Sequence, residues 1–140
     1  MSLMKVLKQI KRKYHFIIID SPPSITYDTI QIIKSSDKVF VPVQPSPLDL
    51  MATVPFLNLV RQERKKTTVI LNRVMPRAKL TEAMIMRLRY AGAKIARSRI
   101  TGKIIYAETF SVGRGVVDIS VTSEASKEII KVGNEILRNF

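Results

Sequence analysis

The feature that most constrains the fold is a short apolar run that ends in an acid. Residues 16–19 are Phe-Ile-Ile-Ile, Asp20 follows them, and Ser21 leads into Pro22 and Pro23. A short, uninterrupted apolar run between turn residues is typical of a strand buried on both faces of a parallel sheet. Neither proline has a backbone N–H, so we expect this strand to end at Ser21.

Asp20 would then lie at the carboxyl end of the strand, where open α/β sheets bind their ligands. Phosphate-handling folds place an acid beside a Mg²⁺ ion at such a position, so one interpretation of Asp20 is a metal ligand. The other is a buried strand whose last residue merely caps the next helix. The strand alone leaves both interpretations open.

Composition excludes several classes of site. The 140 residues, 46% of them hydrophobic, predict a single globular domain over residues 1–140. The chain has no cysteine, which excludes disulfides and thiolate metal sites, and its single histidine, His15, leaves no zinc site built from several histidines. No apolar run approaches the ~20 residues of a membrane helix and no signal-peptide pattern opens the chain, so we expect a cytoplasmic protein without membrane contact.

The positive charge is concentrated in one block. The net charge is +13, and residues 61–103 carry thirteen Lys and Arg against only Glu63 and Glu82. Such a block is expected where one face of a protein meets a polyanion. A solvated basic surface is the alternative, but so uneven a block favours nucleic acid.

Strands and helices are predicted to alternate. After the strand at 16–19, strands are expected at 38–43, 67–72 and, shorter, within 93–100. Helices are expected at 4–13, from about 24–28 to 35, 47–62, 79–91, 104–110 and 124–138, with Ser46 and Ser123 as N-caps. This alternation is typical of βαβ units, so the sequence predicts an α/β fold with a parallel sheet. Asn72, at a strand end, could read a purine edge through its amide, but the residues alone favour a turn role.

Four segments resemble, in the same order, the ParA/MinD family of deviant-Walker P-loop ATPases. They are Asp20-Ser21-Pro22-Pro23, residues 41–49, Ile70-Leu71-Asn72-Arg73, and a tail comprising Tyr106, Glu108 and residues 115–117, 128–129 and 135–137. The second segment is similar to small plasmid-partition members such as ParF. The resemblance covers about residues 5–140 and implies a Rossmann-like P-loop NTPase fold, three-layer α/β/α with a mostly parallel sheet.

The resemblance implies an ATP-dependent dimerising switch with Mg²⁺ as the metal. Asp20 would hold the Mg²⁺ through water, residues 21–23 would sense the γ-phosphate, and Asn72 would contact adenine. The loop at 45–47 would lie against the nucleotide and the partner subunit. The implied cofactor-binding residues are Asp20, Ser21, Pro22, Pro23, Pro45, Pro47, Asn72 and Arg73.

The resemblance also implies partition of DNA, with contacts to the backbone that do not read sequence. We expect homo-oligomers and a centromere-binding partner protein. The residues expected to contact nucleic acid are Arg77, Lys79, Arg87, Arg89, Lys94, Arg97, Arg99 and Lys103.

The chain departs from the family in one large respect. It contains no Gly-x-x-x-x-Gly-Lys-Ser/Thr segment, and it lacks the early strand that carries the catalytic Asp of the family. It therefore resembles the carboxyl-terminal two-thirds of such a protein, no catalytic residue is assigned, and we do not expect this chain alone to hydrolyse ATP. That early strand is normally central, so we expect another copy to cover the exposed edge, or the strands to rearrange.

Two other functions remain open. One is an ATP-dependent enzyme of the same superfamily, either a cobyrinic acid a,c-diamide synthase or a MinD-like ATPase. The missing phosphate loop counts against any ATP-dependent enzyme, and the basic block favours partition over the synthase, which also needs a glutaminase domain. The other is a nucleic-acid-binding module that uses no nucleotide, for which DNA binding would not respond to ATP.

Overall fold

The computed structural model describes residues 3–22, 24–76 and 79–138. Its elements are α1 (Leu3–Ile10), α2 (Tyr27–Ser35), β1 (Lys38–Val43), α3 (Pro47–Gln62), β2 (Lys66–Val74), α4 (Lys79–Tyr90), β3 (Ile95–Thr101), α5 (Ile105–Ser111), α6 (Val116–Ile119) and α7 (Glu124–Leu137). Apart from the strand at 16–19 and the unpredicted short helix α6, these elements follow the predicted order. Among the helices so described, none is both long and apolar enough to cross a bilayer.

The three strands form one parallel sheet in the order β1-β2-β3. Lys38 pairs with Lys66 at the start of β1 and β2, and Val43 pairs with Leu71 near their ends. Sequential parallel strands joined through α3 and α4 are βαβ connections, which confirms the predicted α/β class with a parallel sheet.

Alternate side chains of β2 point to opposite faces of the sheet, and both faces are covered by helices. On one face, Val69 and Leu71 pack in a cluster with Leu50 and Leu57 of α3 and with Met84, Ile85 and Leu88 of α4. On the other face, Ile70 packs with Ala96 of β3 and Val132 of α7. The sheet is therefore the middle of three layers, as the resemblance implied.

The predicted strand at 16–19 was wrong. Residues 16–22 lie outside every helix and strand, and the side chains of Phe16 and Ile18 are 54% and 94% exposed. A strand buried on both faces needs a hydrogen-bonded neighbour and a layer on each side. The three strands of the sheet are β1, β2 and β3, so the run at 16–19 lacks that environment.

Candidate ligand site at the carboxyl end of the sheet

The carboxyl ends of β1, β2 and β3 meet at one edge, where parallel sheets bind ligands. The chain leaves β1 through the loop at 44–46, β2 at residue 75 and β3 through residues 102–104. The ends of β2 and β3 are in contact, since the Gly102 N–H donates to the Val74 carbonyl at 3.0 Å.

The end of β2 is irregular at two residues predicted to bind nucleotide. The pairing with β3 shifts between Leu71 and Val74, so Asn72 and Arg73 form a bulge. Arg73 has φ 52°, in the left-handed region that a non-glycine residue rarely adopts. The Asn72 carboxamide oxygen accepts the Arg73 N–H at 2.9 Å. Asn72 therefore supports a turn through its oxygen, and the strained backbone marks this edge as a candidate functional position.

The loop after β1 is fixed by a helix cap. The Ser46 hydroxyl accepts the Asp49 N–H at 3.1 Å and donates to the Asp49 carboxylate, and Pro47 is the first residue of α3. These contacts confirm the predicted cap and hold Pro45 and Pro47 at the start of the helix.

The end of β3 carries a polar cluster that sequence reasoning did not predict. We call Thr101, Lys103, Tyr106 and Glu128 the Glu128 cluster. The Glu128 carboxylate accepts the Thr101 N–H at 3.0 Å, the Thr101 hydroxyl at 2.8 Å and the Tyr106 hydroxyl at 2.8 Å. It also forms an ion pair with Lys103. Helix α7, the loop after β3 and helix α5 are thereby held together at one carboxylate.

The electrostatics of the Glu128 cluster favour the ionised acid. Partial burial alone would raise the pKa of Glu128, but hydrogen bonds from Lys103, the Thr101 backbone and Tyr106 outweigh burial and hold this pKa at about 2. Burial and the contact with Glu128 raise the pKa of the Tyr106 hydroxyl. At neutral pH the cluster is therefore a carboxylate saturated with donors, which suits a positioning role more than proton transfer.

A second carboxylate of α7 accepts hydrogen bonds from backbone N–H groups of β3. Glu135 accepts the N–H groups of Arg97 and Ser98, each at 2.8 Å. These two residues lie where the pairing of β3 with β2 shifts, between Ile95 and Arg99. Glu128 and Glu135 lie seven residues apart on one side of α7, a spacing that could have indicated their shared role.

The predicted DNA-contacting residues do not share one surface. Lys79, Arg87 and Arg89 are exposed on α4. Arg99 pairs with Glu82 at 3.4 Å and Lys103 pairs with Glu128, so both are engaged within the chain. Lys94 and Arg97 line a groove against α7, on the far side of the sheet from α4. Arg77 lies outside the described residues.

Comparison with known proteins identifies the family. A family model described as an AAA domain (AAA_31) matches residues 1–73, just over half of the 140-residue chain. The chain belongs to the AAA_31 family. Its relatives and structural neighbours are ParA- and MinD-type proteins, which confirms the resemblance to the ParA/MinD P-loop ATPases.

Two relatives illustrate the likeness in sequence. The maintenance of carboxysome distribution protein A of Halothiobacillus neapolitanus is 28% identical over 138 residues, which are 94% of this chain and 64% of that protein. The sporulation initiation inhibitor protein Soj of Bacillus subtilis is 27% identical over 98% of this chain and 57% of its own length. The chain thus spans less than two-thirds of the length of these relatives.

Solved structures show the same fold. The cell division ATPase MinD of Pyrococcus furiosus superposes with a TM-score of 0.80 and 21% identity, over 97% of this chain and 57% of that one. MinD of Aquifex aeolicus also gives 0.80, at 19% identity, over 95% of this chain and 58% of its own. The three strands and their helices are therefore part of a P-loop NTPase α/β fold.

The residues of this ParA/MinD-type chain do not by themselves fit ATP with Mg²⁺. The sequence has no glycine-rich phosphate loop with its Lys and Thr. Asp20, Ser21 and Pro22 are exposed in the irregular segment after residue 16, and Pro23 lies outside the described residues. Within the described ranges, no three His, Cys, Asp or Glu side chains group closely enough to hold a metal ion. No step of phosphoryl transfer is therefore assigned to this chain.

Proposed function

We propose that this chain is a ParA-type DNA partition module that binds the DNA backbone without reading its sequence. The observation that carries the proposal is the block of thirteen Lys and Arg against two acids in residues 61–103, on a ParA/MinD-type fold. Within this block, Arg99 and Lys103 form ion pairs with acids, Arg61 bonds to a carbonyl and an amide oxygen, and Lys65 bonds to the Lys34 carbonyl. Thirteen cations against two acids still give this part of the chain a large positive excess, which favours a polyanion as its partner.

The DNA contact can be tested by titrating fluorescein-labelled duplexes of unrelated sequence with the purified chain. We expect equal affinity for each duplex. Contacts to about six phosphates would give a slope of log affinity against log salt of about −5. Failure to bind at about 50 mM salt, or a strong preference for one sequence, would contradict the proposal. Equal binding with and without ATP would favour the module that uses no nucleotide.

The nucleotide part of the proposal is that the family's ATP-dependent dimerisation is incomplete in this chain alone. A fluorescent ATP analogue is titrated into the wild type and into Asp20→Ala, each with and without Mg²⁺. We expect no saturation up to millimolar ligand in either protein, because the phosphate cradle is missing from the sequence. Saturable, Mg²⁺-dependent binding that Asp20→Ala abolishes would instead show a complete site with Asp20 at the metal.

Self-association and a centromere-binding partner in the cytoplasm belong to the same proposal. Light scattering after gel filtration measures the mass of the chain at several concentrations, with and without DNA. We expect the mass to rise above 15.9 kDa as concentration increases. A constant monomer mass under all of these conditions would contradict the homo-oligomer.

A further inference from the structure

Three lysines lie close together at the amino-terminal end of the sheet. Lys38 opens β1, Lys66 opens β2 and pairs directly with Lys38, and Lys94 immediately precedes β3. Phe40, Ile70 and Ala96 lie on the face of the sheet that packs against α7. Lys38 precedes Phe40 by two residues, Lys66 precedes Ile70 by four and Lys94 precedes Ala96 by two. Because alternate residues of a strand share a face, the three lysines lie on the side of the sheet that α7 covers.

The positive charges of these three lysines repel one another. Partial burial lowers the pKa of Lys38, and the positive charges of Lys66 and Lys94 lower it further. Like charges placed opposite one another on neighbouring strands destabilise a sheet. The converging cations therefore raise the positive potential at this end of the sheet, which favours the approach of an anion.

An open groove continues from Lys94 to the end of α7. Helix α7 runs antiparallel to β3, since Glu128 near its start contacts Thr101 and Glu135 near its end contacts Arg97. The groove between them measures about 500 Å³. Its lining is Lys94, Ile95, Arg97, Ser98, Lys131, Asn134, Glu135 and Arg138. The acid of the groove, Glu135, already accepts two backbone N–H groups of β3.

Two of these cations come from α7 and were not among the residues predicted to contact nucleic acid. Lys131 and Arg138 are seven residues apart, about 10.5 Å along the helix and on nearly the same side. A cation at the carboxyl end of a helix also interacts favourably with the helix dipole, which is sufficient reason for Arg138, the C-cap of α7, alone. The dipole does not explain the cations that the strands bring to the same place.

The chemistry of the lining indicates the kind of ligand. Peptide-binding grooves combine charge with apolar pockets for side chains, whereas Ile95 is the one aliphatic residue in this lining. Flexible point charges without apolar pockets are typical of contacts to phosphates. The lining thus suits a phosphodiester backbone better than an acidic polypeptide.

We propose that Lys38, Lys66, Lys94, Arg97, Lys131 and Arg138 form a track that binds one phosphodiester backbone of DNA. We call this set the amino-end track. The inference rests on the proposed function, because it assigns the DNA contact of that function to particular residues. It places DNA at the opposite end of the sheet from the bulge at Asn72 and Arg73, and away from the basic residues of α4.

The test compares two triple variants that each remove three positive charges. Lys66→Gln, Lys131→Gln and Arg138→Gln alter the amino-end track, whereas Lys79→Gln, Arg87→Gln and Arg89→Gln alter α4. Both are titrated with a labelled random-sequence duplex between about 50 and 200 mM salt. We expect the slope of log affinity against log salt to become shallower by about 3 in the track variant and by less than about 1 in the α4 variant. Circular dichroism and thermal melting check that both variants fold.

The outcomes separate this inference from the proposed function. Equal changes in the two variants, or a larger change in the α4 variant, would overturn the track while leaving DNA binding in place. Failure of the wild type to bind any duplex would overturn both. Labelled polyglutamate serves as the competing polyanion. If it binds the wild type and is weakened by the track variant while duplex DNA does not bind, the ligand is an acidic polypeptide and the assignment to DNA is wrong.

Discussion

Two stretches of this chain have the same pattern but opposite environments. Residues 16–20 and residues 69–72 each run from a bulky apolar segment into a residue with a short polar side chain. In the second stretch Val69 and Leu71 are completely buried at the middle of the sheet. In the first, Ile18 is 94% exposed and no strand forms.

The difference shows that an apolar run specifies a strand only together with its neighbours. β2 has β1 on one side, β3 on the other, and helices over both faces. Its backbone groups are paired and its side chains are covered, which an isolated run cannot achieve. The four predictions that follow test this contrast.

The largest effect is expected from shortening one aliphatic side chain in each of the two stretches. Leu71→Ala removes buried methyl groups from the main cluster and should cost about 2–5 kcal/mol in the free energy of unfolding. Ile18→Ala removes methyl groups that already face water and should change stability by less than about 0.5 kcal/mol. Urea denaturation of both variants beside the wild type measures the difference.

A costly Ile18→Ala would break the comparison. It would mean that the segment at 16–20 is covered in solution, for example by another copy of the chain. In that case the unfolding midpoint should rise with protein concentration, because self-association stabilises the folded form by mass action. The expectation that another copy covers an edge of the sheet stays a prediction until this dependence is measured.

The next largest effect concerns two acids, Glu128 at the end of the ordered sheet and Asp20 in the exposed segment. Glu128 holds the end of β3 against the first half of α7, and its pKa falls from 4.5 to about 2 on folding. A depressed pKa stabilises the fold above the unfolded value, so about 3 kcal/mol present at pH 7 is lost between pH 4.5 and about pH 2. Glu128→Gln should remove most of this stability and flatten the pH profile in that window.

Asp20→Asn is the matched control for Glu128→Gln, since Asp20 lies in an exposed segment. It should melt within about 0.5 kcal/mol of the wild type and keep the acid transition. Thermal melts at several pH values between 2 and 7 compare all three proteins. If Asp20→Asn proved as costly as Glu128→Gln, the exposed segment would have a structural role that its position does not indicate.

A smaller effect should follow from weakening the contacts that hold β3 in place. Because β3 pairs with one edge of β2, β2 would then be less well covered and its environment would be closer to that of residues 16–20. Glu135→Gln keeps one acceptor oxygen but weakens the charged hydrogen bonds to Arg97 and Ser98, at a cost of about 1–2 kcal/mol. Burial acts to raise the pKa of Glu135, yet the bonds from the two backbone N–H groups lower it overall. This stability is therefore also lost as the pH falls below 4.5.

Hydrogen exchange locates the effect of Glu135→Gln. The amides of Arg97 and Ser98 should exchange faster in the variant. The exchange rates of amides in the middle of β2 should change only as far as the global free energy of unfolding changes. Glu124→Gln is the control, because its pairing with Lys127 at 2.7 Å is exposed and worth little. Unchanged exchange at Arg97 would show that another group protects this edge.

The elements that the sequence predicted well have complete local signals. Helix α3 was predicted with its observed bounds because Ser46 caps it, Pro47 opens it and its apolar spacing is helical. Helix α7 was predicted to within one residue for the same reasons, with Ser123 as its cap. The parallel sheet followed from the alternation of strands and helices, which is local information as well.

The features that the sequence did not reveal depend on distant partners. The bond from the Thr101 N–H to Glu128 spans 27 residues, and the bond from Arg97 to Glu135 spans 38. The seven-residue spacing of Glu128 and Glu135 places both on one side of α7 but does not identify the backbone groups that they bind, so the Glu128 cluster was missed. The strand at 16–19 was wrong for the converse reason, because its pattern was present and its neighbours were not.

The smallest effect concerns how the buried stretch ends. Arg73 has φ 52°, which costs a residue with a side chain about 1–2 kcal/mol and glycine nothing. Arg73→Gly should recover that strain and lose about 0.5–1 kcal/mol to the freedom of glycine in the unfolded chain, for a net gain near 0.5 kcal/mol. Arg97→Gly is the control, because Arg97 is also exposed but lies within β3, where glycine should cost about 1 kcal/mol. A loss in Arg73→Gly equal to that of Arg97→Gly would show that the Arg73 side chain stabilises the bulge, and the end of β2 would then be a structural turn instead of a strained ligand site.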